Sequence, residues 1–338
     1  MRMPRRDIVV IGASAGGIEA LGGLVRHFPA DLGAAVLVVL HLAPEHKSVL
    51  PRILSSAGPV PAKHGHNGET LVPNRIYVAP PDHHLLLHES YIRVIRGPRE
   101  NGHRPAIDPL FRTAAYTYGP RVIGIVLSGA LDDGTAGLIA IKNQGGLAVV
   151  QDPNDALVDA MPRSALENVE IDHVLPVAEL GKLLPRLVAE TVSEPAVGAH
   201  SAMLEVESAL QVRGSTEGAL KIGDPSSLGC PECGGVLNEV HDGDLLRFRC
   251  RVGHAFAPES LYLEQRSAME GALWAALRAL EEQASLARRM AIRARELRHV
   301  KSAVRFDERA DAAEGQARTV RGALRLGVSP KHDGDRAE

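Results

Sequence analysis

The chain has 338 residues, 45% of them hydrophobic and 23% charged, with a formal net charge of −3. That length suggests about two domains, the charge gives no global basic field to draw nucleic acid, and no stretch reaches the roughly 18 apolar residues of a membrane helix. Aromatic residues are only 3% of the total, so the core must be built from Val, Ile, Leu and Ala, which suits an α/β sheet better than a β-sandwich.

The N-terminus carries basic residues and then a short apolar run that a Gly-Ser turn ends, too short for a signal sequence. No targeting segment or membrane insertion is expected, and the chain reads as cytoplasmic. Residues 1–190 then alternate between apolar runs and amphipathic stretches. The runs at 7–12, 35–41, 121–129 and 146–151 are β-branched and continuously apolar, as strands buried on both faces of a parallel sheet are. Helical patterns run from Ile18 to His27 and from Asp133 to Asn143. This alternation predicts an α/β fold with a doubly wound, mostly parallel sheet. Residues 70–95 hold three short strand-like runs, RIYVAP, HLLLH and YIRVI, read as an antiparallel extension or hairpin. Residues 191–228 read as linker, with AMLEVESAL able to add a strand or a helical turn. Residues 229–257 read as a small ribbon, 258–326 as a helical hairpin, and 327–338 as a disordered tail.

The first chemical motif is Gly12-Ala13-Ser14-Ala15-Gly16, between a strand and a helix. A sharp strand-to-helix turn of this kind lifts a serine hydroxyl clear of a sheet, and the helix start offers N–H groups to a developing oxyanion. A dinucleotide-binding turn fits less well: it needs a second glycine where Ser14 stands, and an acid near the end of the second strand, where His41 stands instead. His41 ends the second predicted strand. Asp132 and Asp133 follow the strand at 121–127, and either could orient an imidazole or cap the next helix. Strand C-termini share one rim of an open α/β sheet, so Ser, His and Asp are expected together. Their chain order is not the Ser, Asp, His of α/β-hydrolases.

IVVIGASAGGIEAL, VVLHLAPEHKSVLPRIL, IYVAPPDHHLLL, HRPAIDPLFRTAA and VLSGALDDGTAGL resemble, in order, the blocks of the CheB-type protein-glutamate methylesterase domain, over about residues 7–190. The resemblance places the family's catalytic serine, histidine and aspartate on Ser14, His41 and Asp133, the last because the family aspartate directly precedes a glycine, here Gly134. It implies hydrolysis of glutamyl methyl esters on the cytoplasmic domains of methylated chemoreceptors, possible glutamine deamidation, a place in chemotaxis signalling, and no cofactor for catalysis. N–H groups near Ala15 and Gly16, or in the Gly129–Leu131 turn, would hold the oxyanion. The usual member carries a receiver domain before the esterase. Ser14 lies too near the start for one, so phosphorylation control within this chain is not expected. Ala15, and Ala130-Leu131-Asp132, also depart from the family's usual residues, which bears on substrate choice. Two alternatives stand beside the receptor esterase: a silent regulatory or binding protein with the same fold, and an esterase for another ester.

All three cysteines fall in one segment. Cys230-Pro-Glu-Cys233 and Cys250-Arg-Val-Gly-His254 give four ligands with the spacing of a closed structural zinc site on two knuckles. His241 is a competing fourth ligand. Arg247, Arg249 and Arg251 alternate along the second ribbon strand, so they share a face, read as solvated rather than as a nucleic-acid contact. Two seams in 4-3 spacing follow. One runs Leu273, Leu277, Leu280, Ala284, Ala287, Ala291, Ala294 and the other Ala303, Phe306, Ala310, Ala313, Ala317, Val320, Leu324. They predict an antiparallel hairpin turning near 297–301. A protein partner of the ribbon and hairpin is the further expectation. The resemblance reaches here too, since some CheB-like proteins carry a similar CPxCGG…RFRCRVGHAF ribbon and a following helix.

Overall fold

The computed structural model describes residues 4–41, 48–193, 204, 205, 207, 223–243 and 245–327. In chain order the first body contains β1 (Ile8–Ala13), α1 (Gly17–Val25), β2 (Ala35–Leu40), α2 (Leu50–Ala57), β3 (Ala62–His64), β4 (Arg75–Val78), β5 (His84–His88), β6 (Tyr91–Ile95), α3 (Ile107–Tyr118), β7 (Val122–Val126), α4 (Thr135–Asn143), β8 (Leu147–Gln151), α5 (Ala160–Asn168), β9 (His173–Leu175) and α6 (Val177–Ala189). A ribbon follows with β10 (Asp224–Gly229), β11 (Val236–Asp242), β12 (Leu245–Cys250) and β13 (Ala255–Phe256), and then the long helices α7 (Pro258–Glu296) and α8 (Val300–Gly327).

Seven strands form one sheet in the order β3-β4-β2-β1-β7-β8-β9, with every neighbouring pair parallel. Every residue of β1, β2 and β7 is buried, which is why these segments read as unbroken apolar runs. Alternate residues serve two cores: Val9, Ile11, Val36 and Val38 pack under α1 and α6, while Val10, Leu37 and Val39 pack against α3 and α4. The strand order reverses at β1, with β2 on one side and β7 on the other. The crevice beyond the strand C-termini at such a reversal is where open α/β sheets bind ligands.

The doubly wound α/β expectation holds, with one correction. RIYVAP is not part of an antiparallel extension. Its strand β4 pairs parallel with β2 and β3, because Ile76, Tyr77 and Val78 are buried as central-strand residues are. The antiparallel pair is β5–β6 alone, a separate hairpin lying on α3, where the Thr113 hydroxyl accepts the Leu87 N–H. The short strands β3 and β9 carry too few residues to show a pattern in the sequence.

The chain divides into two compact units, Met1–Leu261 and Tyr262–Glu338. The first holds the α/β body together with the ribbon, whose four strands run in the order β10-β11-β12-β13. Most of the expected linker, 191–228, and all of the expected tail beyond residue 327 lie outside the described residues. The second unit is the antiparallel pair formed by the rest of α7 and by α8. Its seams are those of the sequence: Leu277, Ala284, Ala287, Ala291 and Ala294 are buried on one helix, and Ala303, Ala310, Ala313, Ala317 and Leu324 on the other. Alanine at these positions lets the backbones approach closely. Arg288, paired with Asp307, Asp311 and Glu314, bridges the helices beside the seam. Trp274, Leu286 and Ile292 remain exposed.

Candidate active site and metal centre

Ser14 stands one residue past the Ala13–Leu40 pair of β1 and β2, and His41 one residue past its other member. Parallel strands lie about 4.8 Å apart, so register alone makes the two residues neighbours on the rim. The His41 N–H is held by the Ala13 carbonyl at 3.1 Å and the Ser14 N–H by the Ser128 carbonyl at 3.0 Å, which ties the ends of β1, β2 and β7 together. Ser14 is partly exposed and Ala15 exposed. The turn needs its glycines. Gly16 sits at φ 74°, and a Cβ on Gly129 would fall 2.1 Å from the Met161 sulfur and 2.8 Å from the Ser14 Cβ. The Ser128 hydroxyl donates to the Ala15 carbonyl at 2.7 Å and fixes the turn from below.

Asp132 and Asp133, equivalent in the sequence, part company here. The Nε2 of His41 lies 2.8 Å from the Asp133 carboxylate, with both side chains buried. Asp133 does not cap α4. It accepts instead from the N–H groups of Ile107 at 2.7 Å and Asp108 at 3.2 Å, which open α3, and from the Asn101 amide at 3.1 Å. Burial pushes its carboxyl up, but the His41 hydrogen bond and charge and the Ile107 N–H outweigh this and hold it well below the usual carboxylate range. Asp108 caps α4 in its place, accepting from Gly134 and Gly137 N–H. Burial and the neighbouring Asp133 charge push Asp108 well up, so negative charge collects on the carboxylate that faces His41. The His41 ring stacks on His103, with centroids 3.7 Å apart. Burial and His41 bring His103 down to about 4, so His103 is neutral near pH 7. The other ring nitrogen of His41, Nδ1, is buried and has no hydrogen-bond partner among the described residues, the Ser14 hydroxyl included. Of the oxyanion donors expected from sequence, the Gly129 N–H is committed to the Val158 carbonyl at 2.9 Å. The N–H groups of Ala15 and Gly16, and of Ala130 and Leu131, remain as the expected donors.

Asp132 instead accepts a 2.6 Å hydrogen bond from Ser260. Burial pushes its carboxyl up to about 6, partly countered by that hydroxyl. Folding therefore takes up a proton between the unfolded value of 3.8 and about 6. The stability gained is full below the lower value and is lost as pH rises through the upper one. Asp132→Asn keeps the acceptor for Ser260 and removes the titration. It is expected to unfold with more difficulty than the parent at pH 8, by on the order of 1–3 kcal/mol, and no more so at pH 4. Urea midpoints at the two pH values check this, and an equal change at both would contradict it.

In the ribbon, the ligating atoms of Cys230, Cys233, Cys250 and His254 all lie within 4.8 Å of one another. The Cys233–Cys250 sulfurs are 3.7 Å apart, and His254 Nδ1 lies 3.7 Å from the Cys230 sulfur and 3.5 Å from that of Cys250. A tetrahedral zinc with Zn–S near 2.3 Å and Zn–N near 2.0–2.1 Å has S–S edges of about 3.8 Å and S–N edges of about 3.6 Å. The donor set fits a metal of that size, and a disulfide needs sulfurs at about 2.05 Å. His241 is exposed and outside the cluster.

The arginine stripe differs from the sequence reading. Arg247 and Arg249 are 3% and 2% exposed and form no solvated face; only Arg251 is exposed. Glu207 accepts from Arg247 through both carboxylate oxygens at 3.0 and 3.1 Å, and also pairs with Arg249 and Arg112. Glu100 pairs with Arg112 and, at 2.8 Å, with Arg249. Strand alternation put these arginines on one face, and two acids cover that face, Glu100 from the α/β body and Glu207 from the segment read as linker.

The family model described as CheB methylesterase matches residues 9–184. The chain belongs to the CheB methylesterase family. A relative from Leptospira interrogans, named for protein-glutamate methylesterase and protein-glutamine glutaminase activity, is 39% identical over 182 residues, which are 54% of this chain and 94% of the relative. A protein-glutamate methylesterase/protein-glutamine glutaminase of Pyrococcus horikoshii is 33% identical over 190 residues, which are 55% of this chain and 52% of the relative. The chain thus spans most of the first relative and about half of the second. The crystal structure of the Thermotoga maritima CheB methylesterase catalytic domain superposes with a TM-score of 0.53 at 32% identity, covering 54% of this chain and 98% of that domain. The CheB match includes Ser14, His41 and Asp133; the ribbon and the long helices lie beyond it. Asn101, His103 and Asp108 also surround the His41–Asp133 pair. Sequence reasoning gave them no role, although HRPAIDPLFRTAA, which holds two of them, carried part of the resemblance.

Proposed function

We propose that this CheB-family chain is a protein-glutamate methylesterase that removes methyl groups from glutamates on chemoreceptor cytoplasmic domains. The observation that carries the reading is the buried His41–Asp133 pair beside Ser14, with the second imidazole nitrogen free. Ser14 Oγ attacks the ester carbonyl carbon as His41 Nδ1 takes its proton. Ala15 and Gly16 N–H groups receive the negative oxygen. The C–OCH3 bond breaks, His41 returns the proton to the leaving oxygen, and methanol departs. Water, deprotonated by His41, then attacks the Ser14 ester; the bond from the acyl carbon to Ser14 Oγ breaks, His41 returns the proton to that oxygen, and the glutamic acid released ionises to its carboxylate. Asp133 holds the imidazole in one tautomer and stabilises its cation. A glutamine amide takes the same path with ammonia leaving. None of these steps calls for a cofactor. We place a structural zinc on Cys230, Cys233, Cys250 and His254: with four protein ligands it has no open position for chemistry, and it supplies the ribbon with its fold. The purified chain is expected to carry one equivalent of zinc, lost in Cys250→Ser, as metal analysis will show.

Presenting a methylated receptor fragment and a short glutamyl methyl ester peptide side by side tests the substrate. Methanol is expected from the receptor fragment with the higher kcat/KM. A preference for the peptide would contradict the receptor assignment while leaving the esterase.

A further inference from the structure

The turn Glu100–His103 touches both members of the His41–Asp133 pair. It is closed in both directions, with Glu100 N–H on the His103 carbonyl and His103 N–H on the Glu100 carbonyl. Asn101 and Gly102 sit at φ 51° and 74°, the left-handed pair of a tight hairpin turn. From this turn His103 stacks on His41, and the Asn101 amide reaches Asp133 Oδ1.

The other side of the same turn belongs to the ribbon. Asn101 N–H donates to the Ala255 carbonyl at 2.8 Å, and Asn101 Oδ1 accepts the Ala257 N–H at 2.8 Å. Glu100 holds Arg249, and Arg99 pairs with Glu232. Asn101 is thus oriented one way only: its oxygen must face the Ala257 N–H, and its NH2 then faces the carboxylates. Three of these four contacts are adjacent to a candidate ligand, Ala255 to His254, Arg249 to Cys250, and Glu232 to Cys233; Ala257 directly follows β13. The buried cluster around the ribbon is small: Cys230, Leu237, Phe248, Cys250 and Phe256, joined by Leu261 of α7. A module of this size depends on its metal for its fold.

We infer that Asn101 is a positioning residue through which the metal-loaded ribbon holds Asp133, and so His41, in working geometry. The inference rests on the ester-hydrolysing reading of the site. The metal takes no part in the reaction; it keeps β12 and β13 in place, and these keep the turn in place. An Asp133 carboxylate without its Asn101 donor loses one of four hydrogen bonds and the fixed direction toward His41.

The test uses the full chain, zinc-loaded and then stripped with a chelator. Turnover of p-nitrophenyl acetate and amide exchange are both followed, with β1 and β7 amides as the control for an intact sheet. Stripping is expected to lower kcat by about 10–100-fold, with KM within about twofold, and zinc to restore it. Exchange at residues 99–103 is expected to rise on stripping while β1 and β7 stay protected. Asn101→Asp keeps the acceptor for Ala257 and tolerates the left-handed backbone, but removes the donor to Asp133. It is expected to keep its zinc and show the same loss in kcat. In Asn101→Gly, which also keeps the backbone, stripping is expected to add little further loss. Unchanged exchange at 99–103 in the stripped chain, or stripping and Asn101→Gly multiplying independently, would overturn the inference. Exchange reads the clamp without turnover. A loaded wild type that hydrolyses no ester therefore counts against the ester reading, and exchange alone then decides the clamp.

Discussion

Asp133→Asn is expected to lower kcat by about 10⁴-fold, the loss known when an orienting aspartate beside a catalytic histidine becomes an amide. The surroundings here sharpen the argument. Both oxygens of Asp133 face donors only: His41 Nε2 and Ile107 N–H on one, Asn101 NH2 and Asp108 N–H on the other. An amide must turn its NH2 toward one of these pairs. If it faces His41, the imidazole is forced into the opposite tautomer and Nδ1 carries the proton it should receive. If it faces Asn101 and Asp108, two donors lose their acceptor in a buried place, which costs on the order of 1–3 kcal/mol for each. Steady-state kinetics with a thermal melt in parallel separate the two contributions. A variant that keeps more than about a tenth of the parent kcat would contradict the role given to Asp133.

Glu207→Ala has the largest expected effect on stability. Three buried arginines, Arg112, Arg247 and Arg249, converge on Glu207. Burial pushes the Glu207 carboxyl up, and the three guanidinium charges reverse this and hold it well below its ordinary value of 4.5. With the folded value depressed, its contribution to stability is fully present above the unfolded value and is lost only as pH falls through the folded one. Removing the carboxylate at neutral pH leaves three buried guanidinium groups facing chiefly Glu100 and Asp242, and breaking a buried pair costs about 3–5 kcal/mol. Against a total of about 5–15 kcal/mol for a domain, that is a large fraction. Urea unfolding at pH 7 is the measurement. A loss below about 1 kcal/mol would mean that the cluster is satisfied without Glu207.

What could be read from the sequence was local. Ser14 and His41 directly follow continuously apolar strands and Asp133 lies in the turn between a third such strand and its helix, so their common rim followed from the parallel sheet, and the cysteine spacing carried the Cys3His cluster. The heptad seams of α7 and α8 were legible for the same reason, since each is a repeat within one helix. Asn101 was not legible. In the chain it is an ordinary Asn-Gly turn, and its partners lie 32 residues away at Asp133 and 156 away at Ala257. Arg247 and Arg249 were placed on the right face, but alternation says nothing of what covers a face. Their cover comes from Glu100 and Glu207, distant by 149 and 40 residues. Choosing between Asp132 and Asp133 needed the family resemblance. The structure gives the reason in its own terms, because the start of α3 points at one carboxylate and Ser260 at the other.

The most direct test of the account is methanol release from a methylated receptor cytoplasmic fragment by the zinc-loaded chain and by Ser14→Ala. The wild type should release methanol in proportion to enzyme, and Ser14→Ala, folded and zinc-loaded, should fall by about 10⁶-fold to background. Release that survives in Ser14→Ala would remove Ser14 as the nucleophile and, with it, the mechanism built on His41 and Asp133.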